Sequence, residues 1–136
     1  MIIHTTPIRV RYAETDQMKF VYYAHYAVYF ETARVELIRS LGVVYDQIEK
    51  SGTGFPVLEL HVKFIRPAYY DELLLVKTLL KKIPSTRITL EYEITNAGGK
   101  MLTVGRTTLA FVNLNTMKPV SCPPVLLNAI KKHWKK

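Results

Sequence analysis

One aspartate, Asp16, stands between two segments of opposite period and is the residue of this chain best placed for chemistry. Before it, Ile8, Val10 and Tyr12 alternate as a strand does; after it, Tyr26 opens a long apolar repeat at helical spacing. A strand that hands over to a helix leaves the first N–H groups of that helix without intrahelical partners, and their dipoles favour negative charge. A carboxylate beside such donors has the two parts that acyl transfer needs, a nucleophile or base and a site for an oxyanion. The chain holds only three aspartates, and this one lies among Phe20, Tyr22, Tyr23 and Tyr26. An aspartate that caps a helix or a turn accounts for the local pattern equally well.

Other chemistries lack residues to carry them. The four serines have no Gly-x-Ser-x-Gly context. His4, His25, His61 and His133 show no ligand spacing with cysteine or carboxylates, so no metal is expected. No glycine-rich phosphate loop or dinucleotide fingerprint is present, and no cofactor is expected. Cys122 is the single cysteine; it can form no internal disulfide and reads as a packing or surface thiol.

The elements that must position Asp16 follow from length and period. A chain of 136 residues predicts one domain over 1–136, with residues 122–136 as a basic tail helix. Apolar residues at Tyr26, Phe30, Ala33, Leu37 and Leu41, with Gly42 as a stop, predict one long helix over 26–41. Ala27, Val28, Tyr29, Val35 and Ile38 broaden its apolar face and predict burial on more than one side. Beyond Gly52 and Gly54 the period becomes two: Leu58, Leu60, Val62 and Phe64 alternate with Glu59, His61 and Lys63. Leu73–Leu80 predicts a more continuously apolar strand, and Ile88, Leu90, Tyr92 and Ile94 predict a half-buried one. Asn96-Ala-Gly-Gly99 predicts a hairpin turn into a strand over Met101–Leu114. Pro123 and Pro124 open a short helix that ends near Trp134. The resulting class is α+β: antiparallel strands must bury one face, and the single long helix is the cover available.

Charge and hydropathy narrow the setting. The net charge is +8, but Lys131, Lys132, Lys135 and Lys136 supply four of those charges, which reads as a solvated helix end. Neither a nucleic-acid partner nor integral membrane association is expected, since no run of 18 apolar residues occurs. Met-Ile-Ile-His-Thr-Thr-Pro at the start lacks the regions of a secretion signal, so a cytoplasmic protein is expected.

The motif Tyr12-x-x-Thr15-Asp16-x-x-x-x-Val21-Tyr22-x-x-x-Tyr26 resembles that of the 4-hydroxybenzoyl-CoA thioesterase family of hotdog-fold acyl-CoA hydrolases, in particular its YbgC-like branch. Tyr26-Ala-Val-Tyr-Phe-Glu-Thr-Ala-Arg34, Arg66-Pro-Ala-Tyr-Tyr-Asp-Glu72 and Thr116-Met-Lys-Pro-Val120 extend the resemblance over roughly residues 7–125. The branch usually carries a histidine directly after the first tyrosine of the motif and an asparagine two residues later; here these are Tyr23 and His25. The resemblance implies a hotdog fold, a curled antiparallel sheet of about five strands around one long central helix, with the short C-terminal helix added. It implies hydrolysis of an acyl-CoA to free acid and CoA, with Asp16 as nucleophile or general base and the main-chain N–H of Tyr23 polarising the carbonyl. Val21, Tyr22 and Tyr26 would bind substrate, with the Tyr22 and Tyr23 side chains lining the acyl or pantetheine channel, and His25 would orient water or the leaving group, or simply pack or cap the helix. It also implies a homo-oligomer, dimer or tetramer, with the active site at the dimer interface.

The remaining polar residues have their own readings. Lys81, Lys82, Ser85 and Arg87 around Pro84 are candidates for CoA phosphate, because exposed cations on a loop suit that anion. Glu31 and Arg34 predict an i,i+3 ion pair on the helix surface. Arg66 and Asp71 predict a pair across a Pro-kinked bend or a ligand contact. Two other functions fit the same residues: a hydratase or dehydratase of acyl thioesters using Asp16 with His25, and a non-catalytic acyl-CoA-binding or partner-binding module.

Overall fold

A computed structural model describes residues 1–135; Lys136, counted above with the basic tail, lies outside the described residues. Five strands form one antiparallel sheet in the order β1-β4-β5-β6-β3. They are β1 (Ile2–Arg9), β3 (Val57–Phe64), β4 (Leu73–Leu80), β5 (Arg87–Thr95) and β6 (Met101–Ala110). A long helix, α1 (His25–Ser40), covers the sheet, and α3 (Pro124–His133) closes the chain. This is the predicted α+β arrangement. Three elements were not predicted: the short helix α2 (Tyr45–Lys50), and β2 (Thr53–Gly54) paired with β7 (Val112–Asn113).

The helix approaches the sheet at one very close contact. Phe30, fully buried on α1, stacks on Tyr92 of β5 with ring centroids 4.2 Å apart and planes 12° from parallel. Opposite Tyr92 in the register, and opposite Val62 of β3, is Gly105 of β6. A Cβ at Gly105 would lie 2.5 Å from Phe30 Cζ and 2.9 Å from the carbonyl oxygen of His61. The missing side chain is therefore what lets Phe30 reach the sheet. Ala33, Leu37 and Ile38 continue the buried stripe, with Ile88, Leu90 and Ile94 facing them from β5. The reverse face of α1 is open: Ala27 is exposed and Val28 is 49% exposed, so the chain alone buries one side of the helix, and the prediction of two is corrected.

Arg34 corrects a second expectation. It lies four residues after Phe30 on the inward stripe and is buried, so it forms no surface pair with Glu31. Its Nη1 donates to the Tyr92 hydroxyl at 3.3 Å, and that hydroxyl shares a 2.7 Å bond with Thr107 Oγ1. Helix face, rather than i,i+3 spacing, decides its partner.

The strands differ from prediction at their ends and in their burial. β1 stops at Arg9, so Val10 and Tyr12 lie beyond it; its inward positions include His4 and Thr6, which hid the period. Pro7 is tolerated because β1 is an edge strand. β6 ends at Ala110, because at Phe111 the chain changes partners: its N–H donates to Thr86 and its carbonyl accepts from Val120. The hairpin at 96–99 is present, with Gly99 in the left-handed region at φ 81°. β3, the other edge, is exposed along nearly its whole length on both faces. Cys122 packs under the start of α3, buried, with its N–H donating to the Ser85 carbonyl and burial pushing its thiol up to about 12.

Gly105→Ala should destabilise the fold by at least about 2 kcal/mol, because Phe30 is locked by Tyr92 and the His61 carbonyl is backbone; a lower urea midpoint at unchanged slope is the measurement. Cys122 should resist a thiol reagent at pH 8 in the native protein and react fully once unfolded, since the reactive thiolate is absent.

Candidate active site

The segment between β1 and α1 is held by one buried carboxylate. Tyr12–Glu14 form a single 3₁₀ turn, and Glu14 is only 4% exposed. Its Oε1 accepts the Arg11 backbone N–H at 2.8 Å and the Tyr29 hydroxyl of α1 at 2.8 Å; its Oε2 accepts Arg11 Nε at 3.1 Å. Burial pushes the Glu14 carboxyl up, but the Arg11 N–H and the Tyr29 hydroxyl outweigh it and hold the group below its ordinary value. The same carboxylate, after burial, pushes the Tyr29 hydroxyl up. The Glu14 carbonyl in turn accepts the Tyr22 N–H at 2.9 Å.

Asp16 lies at the tip of a tight hairpin rather than on a helix cap. Thr15 bridges Val21, the Asp16 N–H donates to Phe20 at 3.0 Å, and the Lys19 N–H returns to the Asp16 carbonyl at 2.9 Å. Lys19 takes the left-handed conformation at φ 69° that closes such a loop. Asp16 Oδ1 accepts the Met18 N–H at 2.8 Å, so the turn-capping reading holds for one oxygen. Oδ2 bonds to no described residue.

The helix begins with Tyr22, Tyr23 and Ala24 as a turn. The His25 N–H donates to Tyr22 at 3.0 Å and the Tyr26 N–H to Tyr23 at 3.2 Å. The N–H groups of Tyr23 and Ala24 donate to no described residue, and Ala24 supplies no side-chain cap. Free donors thus stand at the entrance to α1.

Asp16 and this helix start line one cavity of about 550 Å³. Val21, Tyr22, Tyr23 and Tyr26 line it with Asp16, so five of the residues singled out from sequence come together. Tyr26 is buried, edge-on to Phe64 at 5.1 Å, and burial raises its hydroxyl. Tyr22 packs on Tyr23 at 4.6 Å; the Tyr23 hydroxyl, with smaller contributions from burial and from the Asp16 charge, raises that of Tyr22. Met18, Phe20, Phe64, Ile65 and Pro67 complete an apolar wall that sequence reasoning did not assign to the site. Arg66 is the one cation among the described lining residues. Its Nη1 donates to the Met101 carbonyl at 2.9 Å, not to Asp71, which takes φ 66° with its carbonyl on Arg9 Nη1.

Other residues fall outside the cavity. His25 is half-buried with its ring centroid 6.5 Å from that of Tyr22, and does not line it. Lys81, Lys82, Ser85 and Arg87 sit at the opposite end of the sheet. The cavity borders Phe64, paired through Thr103 to Ile94, whereas Arg87 pairs Ala110; at ~3.3 Å per residue β5 separates these ends by roughly 23 Å. Lys81 pairs there with Glu91 at 3.1 Å. Among the described residues no three His, Cys, Asp or Glu side chains are grouped to hold a metal, and no helix is long and apolar enough to cross a membrane.

A family profile described as the thioesterase-like superfamily matches residues 10–130. The acyl-CoA thioesterase YbgC of Haemophilus influenzae is 33% identical over 118 residues, 86% of each chain. The acyl-CoA thioester hydrolase YbgC of Escherichia coli is 27% identical over 126 residues, 93% of this chain and 94% of that one. The crystal structure of a DHNA-CoA thioesterase from Staphylococcus aureus superposes with a TM-score of 0.92 at 38% identity, covering 97% of this chain and 91% of the other.

Proposed function

Because this chain belongs to the thioesterase-like superfamily, we propose that it is an acyl-CoA thioester hydrolase in which Asp16 is the reacting carboxylate. The observation that carries the reading is the pairing in one apolar cavity of a carboxylate whose Oδ2, and a helix start whose Tyr23 N–H, have no partner among the described residues. Asp16 either attacks the thioester carbon, giving an anhydride that water then opens, or takes a proton from the water that attacks. Along either route a C–O bond forms and the C–S bond breaks with its electron pair going to sulfur; the CoA thiolate then takes up the proton given up by the attacking water, so that acid and CoA thiol are the products. The Tyr23 N–H receives the charge that builds on the carbonyl oxygen; losing a donor of that kind costs on the order of 10²–10³ in rate. Val21, Tyr22, Tyr26 and Phe64 shape the channel for the acyl chain or pantetheine arm. His25 acts by packing the helix start. The hydratase reading loses support, because His25 stands outside the cavity that Asp16 lines.

We further propose that two copies pair along β3. This edge carries Val57, Leu58, Leu60 and Phe64 at 45–51% exposure, with one row of backbone groups unpaired. Edge strands of this length and apolarity are covered in stable proteins. Phe64 and Ile65 also line the cavity, so a partner at this edge would wall the site.

Asp16→Asn should lower kcat at least about 100-fold while leaving the fold and CoA affinity in place, since the amide keeps the shape and removes the charge. CoA release across a panel of acyl-CoAs is the assay, and retention of a third of wild-type kcat overturns the assignment. At micromolar concentration sedimentation should report a dimer or larger, with specific activity falling on dilution; a fully active monomer rules the edge pairing out.

A further inference from the structure

We infer that Glu14 is a positioning residue for this reaction: its buried carboxylate holds the Asp16 hairpin and the Tyr23 N–H in fixed relation to each other. The inference rests on the reading in which those two groups act.

Asp16 and Tyr23 belong to a segment that reaches the core at one residue between them, Val21, 3% exposed. Residues 17–19 and 22–24 are all exposed, so that single apolar contact does not by itself fix the separation of acid and donor. The polar contacts that converge on Glu14 complete the constraint. Its carboxylate is tied to the end of β1 through the Arg11 N–H and Nε, and to α1 through the Tyr29 hydroxyl. Its carbonyl holds the Tyr22 N–H, one residue before the free donor, and Asp16 follows it by two residues. One residue therefore pins both limbs of the hairpin, and ties both to the helix that Tyr23 introduces.

The chemistry suits a rigid anchor. A buried carboxylate whose lone pairs are taken by three donors has no alternative arrangement that keeps its charge satisfied. A neutral side chain of the same shape loses part of that set and lets the limbs slip; a displacement near 1 Å costs about 10²-fold in a reaction that depends on alignment. Glu14 lines no part of the cavity, so it acts through the groups it holds and not on substrate.

The test compares Glu14→Gln and Tyr29→Phe with wild type and Asp16→Asn in the full-length protein, reading kcat, KM for an acyl-CoA and Tm. Glu14→Gln should lower kcat by roughly 10–100-fold with KM within about threefold, because alignment and not affinity is lost. Tyr29→Phe, which keeps the carboxylate and removes one donor, should lower kcat by about 3–10-fold in the same pattern. The sign of the pH dependence is fixed. A carboxyl held below its ordinary value near 4.5 stabilises the fold above that value and ceases to as pH falls through the folded value. The Tm advantage of wild type over Glu14→Gln should thus be a few degrees at neutral pH and be lost as the medium is acidified through the folded-state value, below the ordinary carboxyl value. Kcat within twofold of wild type in Glu14→Gln, or in Tyr29→Phe should the first variant not fold, overturns the inference, as does a loss confined to KM. An active Asp16→Asn instead sinks the underlying reading, whatever the Glu14 variants do.

Discussion

The depth at which α1 sits in the sheet is set where Phe30 meets Tyr92 over the bare backbone of Gly105. Stacked rings at 4.2 Å leave no room for even a methyl group on β6, so helix and sheet are locked in height and rotation together. Everything on the helix inherits that placement. Tyr26, one turn earlier, is carried against Phe64 and Thr103 at the end of the sheet; Tyr29 is carried to Glu14; and the first turn of α1 is brought over the end of β3. A shift of the helix by a fraction of a turn would move the free N–H groups away from Asp16 and break the Tyr26–Phe64 and Tyr29–Glu14 contacts with them.

The site is thus assembled in two stages that use different forces. Apolar packing positions α1 and the sheet, with the buried hydrogen bonds of Arg34, Tyr92 and Thr107 set within it. The segment 10–24 buries only Val10 and Val21 in the core and is otherwise held by hydrogen bonds: Val10 to Glu72, Val21 to Ala68, and the contacts of Glu14. Hydrogen bonds in exposed loops contribute modestly, whereas bonds to a buried charge are about twice as strong and costly to break. That division lets the Asp16 carboxylate stay accessible on a loop while its geometry is governed from inside the protein.

How much of this was legible in the sequence divides along the same line. The long helix, the strands β4 and β5 and the turn at 96–99 were readable because apolar period reports burial directly. The clustering of Asp16, Val21, Tyr22, Tyr23 and Tyr26 was readable because they are near one another along the chain. The burial of Glu14 was not: its helix partner is Tyr29, fifteen residues away, and a glutamate next to Thr15-Asp16 looks like any surface acid. Arg34 misled for the converse reason, since its i,i+3 spacing to Glu31 was visible and its inward face was not. The loop cations at 81–87 suited an anion by composition, but composition carries no information on which end of a sheet a hairpin occupies. Residues 64–67 joined the site through the pairing of β3 with β6, a long-range register that no local pattern encodes.

The exposure of the cavity wall links assembly to chemistry. Phe64, Tyr22 and Tyr23 are 44–65% exposed in the single chain, and Asp16 itself is half-buried. An oxyanion facing a lone N–H in open water gains little over solvation, because the field of a dipole is strongly screened there. With water excluded the same N–H becomes worth several kcal/mol at the moment charge develops. The apolar groups that make β3 unsuitable as a free edge are continuous with those that wall the cavity. Covering that edge would bury this surface and, in the same step, lower the dielectric around Asp16 and the Tyr23 N–H. Folding of one chain supplies the geometry of the acid and its donor; the setting in which that geometry is effective depends on what lies against β3.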